Sequence, residues 1–253
     1  AFFDCESLTN IVIYPSVTEI EEYAFIKCKS LKSITIDPIK TIIKPNSFQE
    51  CEGLHKLICL SSNHVITDLS CLKNFNFISE IEISSYVTTI DRNAFKECTS
   101  LRKIFLPSTL KSINEFAFCG CSSLALISIP ASVSVIKDST FKDCVKLSTV
   151  KLPPSVVSIE NSAFCNCQSL TQINLPPCLK SINYDTFLGC TSLVNIELPD
   201  SIISIEPNAF YKCSALTHIN IPKSVSFIGK SAFKECSSLQ TIEIPSEVTL
   251  IET

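Results

Sequence analysis

Apolar and polar positions along this chain repeat every 23 residues. Phe2, Phe25 and Phe48 are 23 apart, and so are Phe95, Phe118, Phe141, Phe164, Phe187, Phe210 and Phe233. The 47 residues from Phe48 to Phe95 are two repeats plus one inserted residue. Counting back from Phe95 puts Leu72 in the Phe place, Phe75 in the Cys place and Ile78 in the Leu place, a degenerate coil over about 72–94. The count is eleven coils. From each Phe, apolar residues recur at +6, +9, +11, +15 and +18; around Phe95 these are Leu101, Ile104, Leu106, Leu110 and Ile113.

The +9/+11 pair alternates with polar residues, which is the spacing of a half-buried strand. In the later coils a proline follows at +12, from Pro107 to Pro245, and proline cannot extend a hydrogen-bonded ladder. Leu60 and Ser84 stand at that place in the third and fourth coils, a departure between Cys51 and Ile90. Two residues before the Phe stands Asn46, Asn93, Ser139, Ser162, Asp185, Asn208 or Ser231. These types cap helix N-termini, so the pattern predicts that the Ala-Phe-x-x-Cys stretch is a single helical turn with Phe and Cys facing inward. A unit this short cannot bury its apolar side alone. Stacked copies can, and the stack predicted is a solenoid with strands about 4.8 Å apart in one parallel sheet.

The stretches "LRKIFLPSTLKSINEFAFCGC", "LTQINLPPCLKSINYDTFLGC" and "LTHINIPKSVSFIGKSAFKEC" resemble the BspA-like, or Treponema pallidum-type, leucine-rich repeat family over essentially the whole chain. The resemblance implies an α/β repeat solenoid. It would be a leucine-rich-repeat horseshoe of about eleven 23-residue coils, with a parallel concave sheet and short turns or single helical turns on the convex side. It also implies a cell-surface or secreted place, and a part in adhesion or in recognising host or matrix proteins. One domain over 1–253 is expected, as a fragment of a longer protein, because the chain has no Met and both ends fall mid-coil.

Ten of the 15 cysteines stand at +3: Cys5, Cys28, Cys51, Cys98, Cys121, Cys144, Cys167, Cys190, Cys213 and Cys236. A column that accepts Phe75 is apolar, and free Cys packs as a small hydrophobe, so these thiols are expected to be buried and reduced. Cys59 falls at the buried +11 place, Cys71 replaces the Ala before the Phe place, and Cys178 replaces a Ser or Thr at +14. Cys119 and Cys165 stand at +1, where Lys96, Lys142 and Lys234 occur in other coils. That place reads as solvent-tolerant, which makes them the expected reactive thiols. The two Cys-x-Cys pairs they form lie two coils apart and do not supply four converging metal ligands.

With 21 basic and 25 acidic residues the net charge is −4, without the basic face a nucleic-acid footprint needs. No apolar run reaches the roughly 20 residues of a membrane span. His55, His64 and His218 are the only histidines, and none stands at a defensible spacing from a nucleophile and an acid. With four glycines, no phosphate-cradling loop is written. No enzyme activity and no cofactor are therefore expected.

Residues at +8 and +10 flank the inward +9 and point out of the sheet. Most are small and polar, but Ile58, Phe105 and Leu126 are apolar, set among Lys56, Glu80, Glu82, Lys103 and Ser128. Apolar anchors inside a charged rim are how interface hot spots are composed, so these eight residues are the expected contact with a protein ligand. An intracellular, cytoplasmic scaffold of the same fold is the alternative. None of the 14 Asn stands in an N-x-[ST] glycosylation acceptor, which weighs towards it.

Overall fold

The computed structural model describes residues 1–37, 41–44, 46–60, 65–66 and 78–251. The readings of Leu72, Phe75, Cys71 and His64 lie outside the described residues. Two short strands per coil are the rule. They begin with β1 (Asn10–Val12), β2 (Glu19–Ile20), β3 (Ser33–Ile36), β4 (Ile42–Ile43) and β5 (Lys56–Cys59). Next come β6 (Val65–Ile66), β7 (Glu80–Ile83), β8 (Thr89–Ile90), β9 (Lys103–Phe105) and β10 (Ser112–Ile113). Then follow β11 (Leu126–Ser128), β12 (Val135–Ile136), β13 (Thr149–Lys151), β14 (Ser158–Ile159) and β15 (Ser181–Ile182). The last are β16 (Asn195–Glu197), β17 (Ser204–Ile205), β18 (His218–Asn220), β19 (Phe227–Ile228) and β20 (Leu250–Ile251).

The longer strands are those expected at +8 to +10. They pair in parallel and in register, Ile11 with Ile34 and Leu57 with Ile81, and the inward residue is the one buried. The second strand, two residues ending at +18, was not legible. In β10 its inward residue is Ile113. The first-strand ladder runs unbroken through β1-β3-β5-β7-β9, then restarts as β11-β13 and again, after a single bridge from Asn174 to Glu197, as β16-β18. Proline shortens the later strands. At +12, Leu60 N–H reaches the Ile36 carbonyl at 2.8 Å and Ser84 N–H the Cys59 carbonyl at 3.1 Å, so β3, β5 and β7 run to four residues. Pro107 and Pro130 have no N–H to give, and β9 and β11 stop at three. Each proline instead opens a β-turn, as where Leu110 N–H meets the Pro107 carbonyl at 3.1 Å.

The solenoid is a parallel-strand β-solenoid, and the expected helical turn is absent: among the described residues there is no helix. The Asn, Ser and Asp at −2 are not N-caps. Asn93, Ser139, Ser162, Asp185 and Asn208 have φ between 52° and 60°, and the +2 places are left-handed as well, with Gly120 at 75° and Gly189 at 70°. Two left-handed residues four apart forbid a helix. They turn alternate N–H groups along the stack instead. Around Phe95, the N–H groups of Asn93, Phe95 and Glu97 donate to Glu115, Ala117 and Cys119 of the next coil at 2.7–3.1 Å. The N–H groups between them close local turns, as Cys98 does onto the Phe95 carbonyl at 3.1 Å. Asn and Asp tolerate this conformation better than most residues, and the same short polar side chains make good caps, which is why the sequence misled here.

Phe and Cys do face inward, as expected. Rings of successive coils stack nearly parallel, from 4.9 Å between Phe2 and Phe25 to 5.8 Å between Phe164 and Phe187, within the offset-stacked range. Nine of the ten column cysteines are buried, Cys5 being half-buried. Eight of these thiols also have a task beyond filling space. Cys121 Sγ donates to the Phe95 carbonyl at 3.1 Å, Cys144 to Phe118 at 3.1 Å and Cys167 to Phe141 at 3.3 Å. The same bond recurs at Cys28, Cys51, Cys190, Cys213 and Cys236. A weak donor on an apolar-sized side chain adds a second hydrogen bond to a carbonyl that already accepts a local backbone N–H, and ties it to the next coil.

Candidate protein-binding surface

The outward rows of the first strands carry the candidate residues. Register sets Lys56 beside Glu80 and Glu80 beside Lys103; one step along, Ile58 lies beside Glu82 and Glu82 beside Phe105. The Lys56 ammonium reaches diagonally to the Glu82 carboxylate at 2.6 Å. Exposed pairs of this kind contribute about 0–1 kcal/mol, so this one orients more than it stabilises. Phe105 and Leu126 are 41% and 43% exposed, unusual values for large apolar side chains on this sheet face. The Lys103 ammonium sits over the Phe105 ring at 4.4 Å from its centroid, and that of Lys56 at 5.9 Å. Cation–π contacts of this exposure are worth about 0.5–1 kcal/mol.

A cavity of about 390 Å³ opens beside the ring, lined by Lys103, Phe105, Leu106, Leu126, Ser128 and Pro130 among others. Four of the eight expected residues thus line one cavity, and Lys56 reaches its Phe105 wall. Glu80 and Glu82 lie one strand away, and Ile58 lies beyond them, half-buried. Leu106 and Pro130 were not anticipated. They stand at +11 and +12, past the ends of β9 and β11. A larger cleft of about 600 Å³ near the last coils is lined by Asp200, Asn220, Lys223, Ser224 and Glu243, a polar set of mixed charge without an aromatic anchor.

The thiol expectations need one correction. Cys119 and Cys165 are buried, not solvent-facing. Burial pushes the Cys119 thiol up, with Asp143 adding to it against Lys96 and Lys142; burial pushes Cys165 up to about 11. A lysine at +1 runs its aliphatic stem over the surface and lifts only its head into water, so its presence there did not mean that a short side chain would be exposed. Among the described residues the exposed thiol is Cys178. His218 points outward on β18, and His55 Nδ1 lies 2.7 Å from the Gly53 carbonyl.

A parallel β-solenoid of 23-residue coils is the architecture of a repeat protein. The chain belongs to the BspA-type leucine-rich-repeat family, whose repeat region matches it in 6 copies across residues 1–98, 66–176 and 158–253. Members of the wider leucine-rich-repeat class are in general protein-interaction modules rather than enzymes. Among solved structures, a leucine-rich repeat protein from Eubacterium ventriosum is 24% identical with a TM-score of 0.57, the match covering 94% of this chain and 67% of that one. The pneumococcal vaccine antigen PcpA is 19% identical with a TM-score of 0.50, covering 97% and 74%. A leucine rich cell surface protein from Faecalibacterium prausnitzii is 26% identical with a TM-score of 0.49, covering 93% and 79%. The first two establish a shared fold. No curated protein matches the chain.

Proposed function

We propose that this chain is a non-enzymatic protein-binding module, displayed at a cell surface or secreted. It serves adhesion or recognition of a host or matrix protein, and the contact lies on β5, β7, β9 and β11. The observation that carries the reading is the pairing of Phe105 and Leu126, both exposed, at the mouth of one apolar-lined cavity. Burying a Phe and a Leu together contributes roughly 3–6 kcal/mol before association costs, enough to decide an affinity. The charges of Lys56, Glu80, Glu82 and Lys103 set encounter rate and register. Family membership supports the surface placement. An intracellular scaffold is the competing reading, and the absence of a glycosylation acceptor among 14 Asn favours it.

The test is binding of the folded chain to immobilised host and matrix proteins. Phe105→Ala with Leu126→Ala weakens binding at least tenfold and leaves the melting profile unchanged. The control, Asn195→Ala with His218→Ala, does little. A control that costs more affinity than the anchor pair places the contact elsewhere.

A further inference from the structure

Between β9 and β11 the first-strand ladder is interrupted, and between β10 and β12 so is the second. Both sheets therefore part at the same coil boundary. At the strand entry the crossing bond is that from Ala125 N–H to the Arg102 carbonyl, at 3.3 Å. On the outward side of this boundary a cavity of about 390 Å³ opens, with Phe105, Leu106, Leu126 and Pro130 among its walls. A dry cavity of about 150 Å³ already accepts benzene, so this one admits a whole side chain from outside.

The charge beside the cavity is mixed towards β7, where Glu80 and Glu82 stand in register with Lys103 and Phe105, and positive towards β13. Outward residues of β9, β11 and β13 are Lys103, Phe105, Leu126, Ser128, Thr149 and Lys151: two ammonium groups and no carboxylate, in a chain of net charge −4. Lys56, on the far side, is neutralised by Glu82. Lys103 forms no ion pair among the described residues, and Lys151, exposed, stands in register with Ser128. On the β7 side Glu80 already stands in register with Lys103 and Glu82 is paired with Lys56, so the ammonium without a carboxylate beside it in register is Lys151, on the β13 side.

Resting on the binding face proposed above, we infer that its partner is an acidic segment of a protein. It inserts one aromatic or aliphatic side chain between Phe105 and Leu126 and sets a neighbouring carboxylate against Lys103 and Lys151. The apolar walls select the inserted side chain. The ammonium pair selects the acid, and the placement of Lys151 on the β13 side fixes which way the segment runs. An anionic polysaccharide would use the two ammonium groups but leave the apolar cavity empty, so the cavity favours a peptide.

Random dodecamer peptides displayed on phage are selected on the immobilised folded chain. The expected winners carry an aromatic or aliphatic residue within three positions of Asp or Glu, and lose at least tenfold in affinity against Phe105→Ala with Leu126→Ala. Selection on Lys103→Glu with Lys151→Glu enriches Lys or Arg in place of the acid. Winners that depend on Phe105 and Leu126 but carry no acid, and bind the charge-reversed chain equally, overturn the acidic partner while leaving the binding face intact. Winners indifferent to both pairs of substitutions overturn the binding face as well. A selection that enriches nothing overturns the acidic-segment inference, and so does heparin binding lost on charge reversal yet kept by the alanine pair. Melting curves of both variants matching the parent exclude misfolding as the cause.

Discussion

At the boundary between the coils of Phe95 and Phe118, the turn side and the strand side behave differently. On the turn side nothing is missing. Phe95 N–H meets the Ala117 carbonyl at 2.8 Å, Glu97 N–H meets Cys119 at 2.7 Å, the rings stack at 5.1 Å, and Cys121 Sγ closes onto the Phe95 carbonyl. On the strand side both ladders part. The contrast teaches where the stack is held. A column of rings, thiols and left-handed turns carries continuity past a gap, so the parted ladders do not divide the molecule. Continuity between coils is thereby concentrated on the turn side of this boundary.

Raising the pH attacks the turn side most strongly. Eight column thiols are pushed up, chiefly by burial: Cys51 and Cys236 to about 11, and Cys28, Cys121, Cys144, Cys167, Cys190 and Cys213 also upward. In the unfolded chain these thiols ionise near pH 8.5, so above that pH unfolding releases protons. Their contribution is complete below about pH 8.5 and is lost as pH rises beyond it, for Cys51 and Cys236 by about pH 11. Circular dichroism should show cooperative loss of structure across that window. Phe105→Ala with Leu126→Ala should have the same midpoint, because the strand face carries none of these thiols. A chain still folded at pH 11 would refute the assignment.

Removing one ring comes next. Phe164 is fully buried between Phe141 and Phe187, and Phe164→Ala should cost about 3–5 kcal/mol in denaturant unfolding. Phe105→Ala, on the sheet face, should stay within about 0.5–1 kcal/mol. Equal losses would erase the contrast between the two sides.

A smaller effect tests coil-to-coil contact near the last turns. A Cβ at Gly229 would lie 2.5 Å from Pro207 Cδ and 2.5 Å from its nitrogen. Gly229→Ala should therefore destabilise by about 1–3 kcal/mol. Pro207→Ala in the same chain should recover little of that loss, since the backbone nitrogen of residue 207 at 2.5 Å and the Glu206 carbonyl carbon at 2.9 Å remain.

The smallest effect belongs to the +14 column. Ser132 donates to the Ser108 and Leu110 carbonyls of the coil before it, Ser201 to Pro177 and Leu179, and Ser224 to Asp200 and Ile202. Cys178 occupies this column as an exposed thiol. Cys178→Ser should gain about 0.5–1.5 kcal/mol, and it should abolish the fastest alkylation site mapped by mass spectrometry. Faster labelling at Cys119 or Cys165 in the parent would contradict their burial.

Much of this architecture was legible from the sequence, for a physical reason. Burial in a stack repeats identically, so the 23-residue Phe and Cys columns and the inward +9 residue show themselves as periodicity. Outward orientation follows from the same alternation, so Phe105 and Leu126 stood out by residue type alone. Other features were illegible because one residue type serves two conformations, or because the element is too short to show a period. Asn93 and Ser139 suit a helix cap and a left-handed turn equally, and only the pull of the next coil's carbonyls decides between them. A two-residue strand such as Ser112–Ile113 has no alternation to read. Cys119 shares its place with lysines whose heads reach water past the very spot where a thiol is covered. The cavity is the furthest from sequence. It lies where Phe105 and Leu106 of one coil meet Leu126 and Pro130 of the next, and how those residues come together is set by the summed geometry of the stack rather than by the type of any one of them.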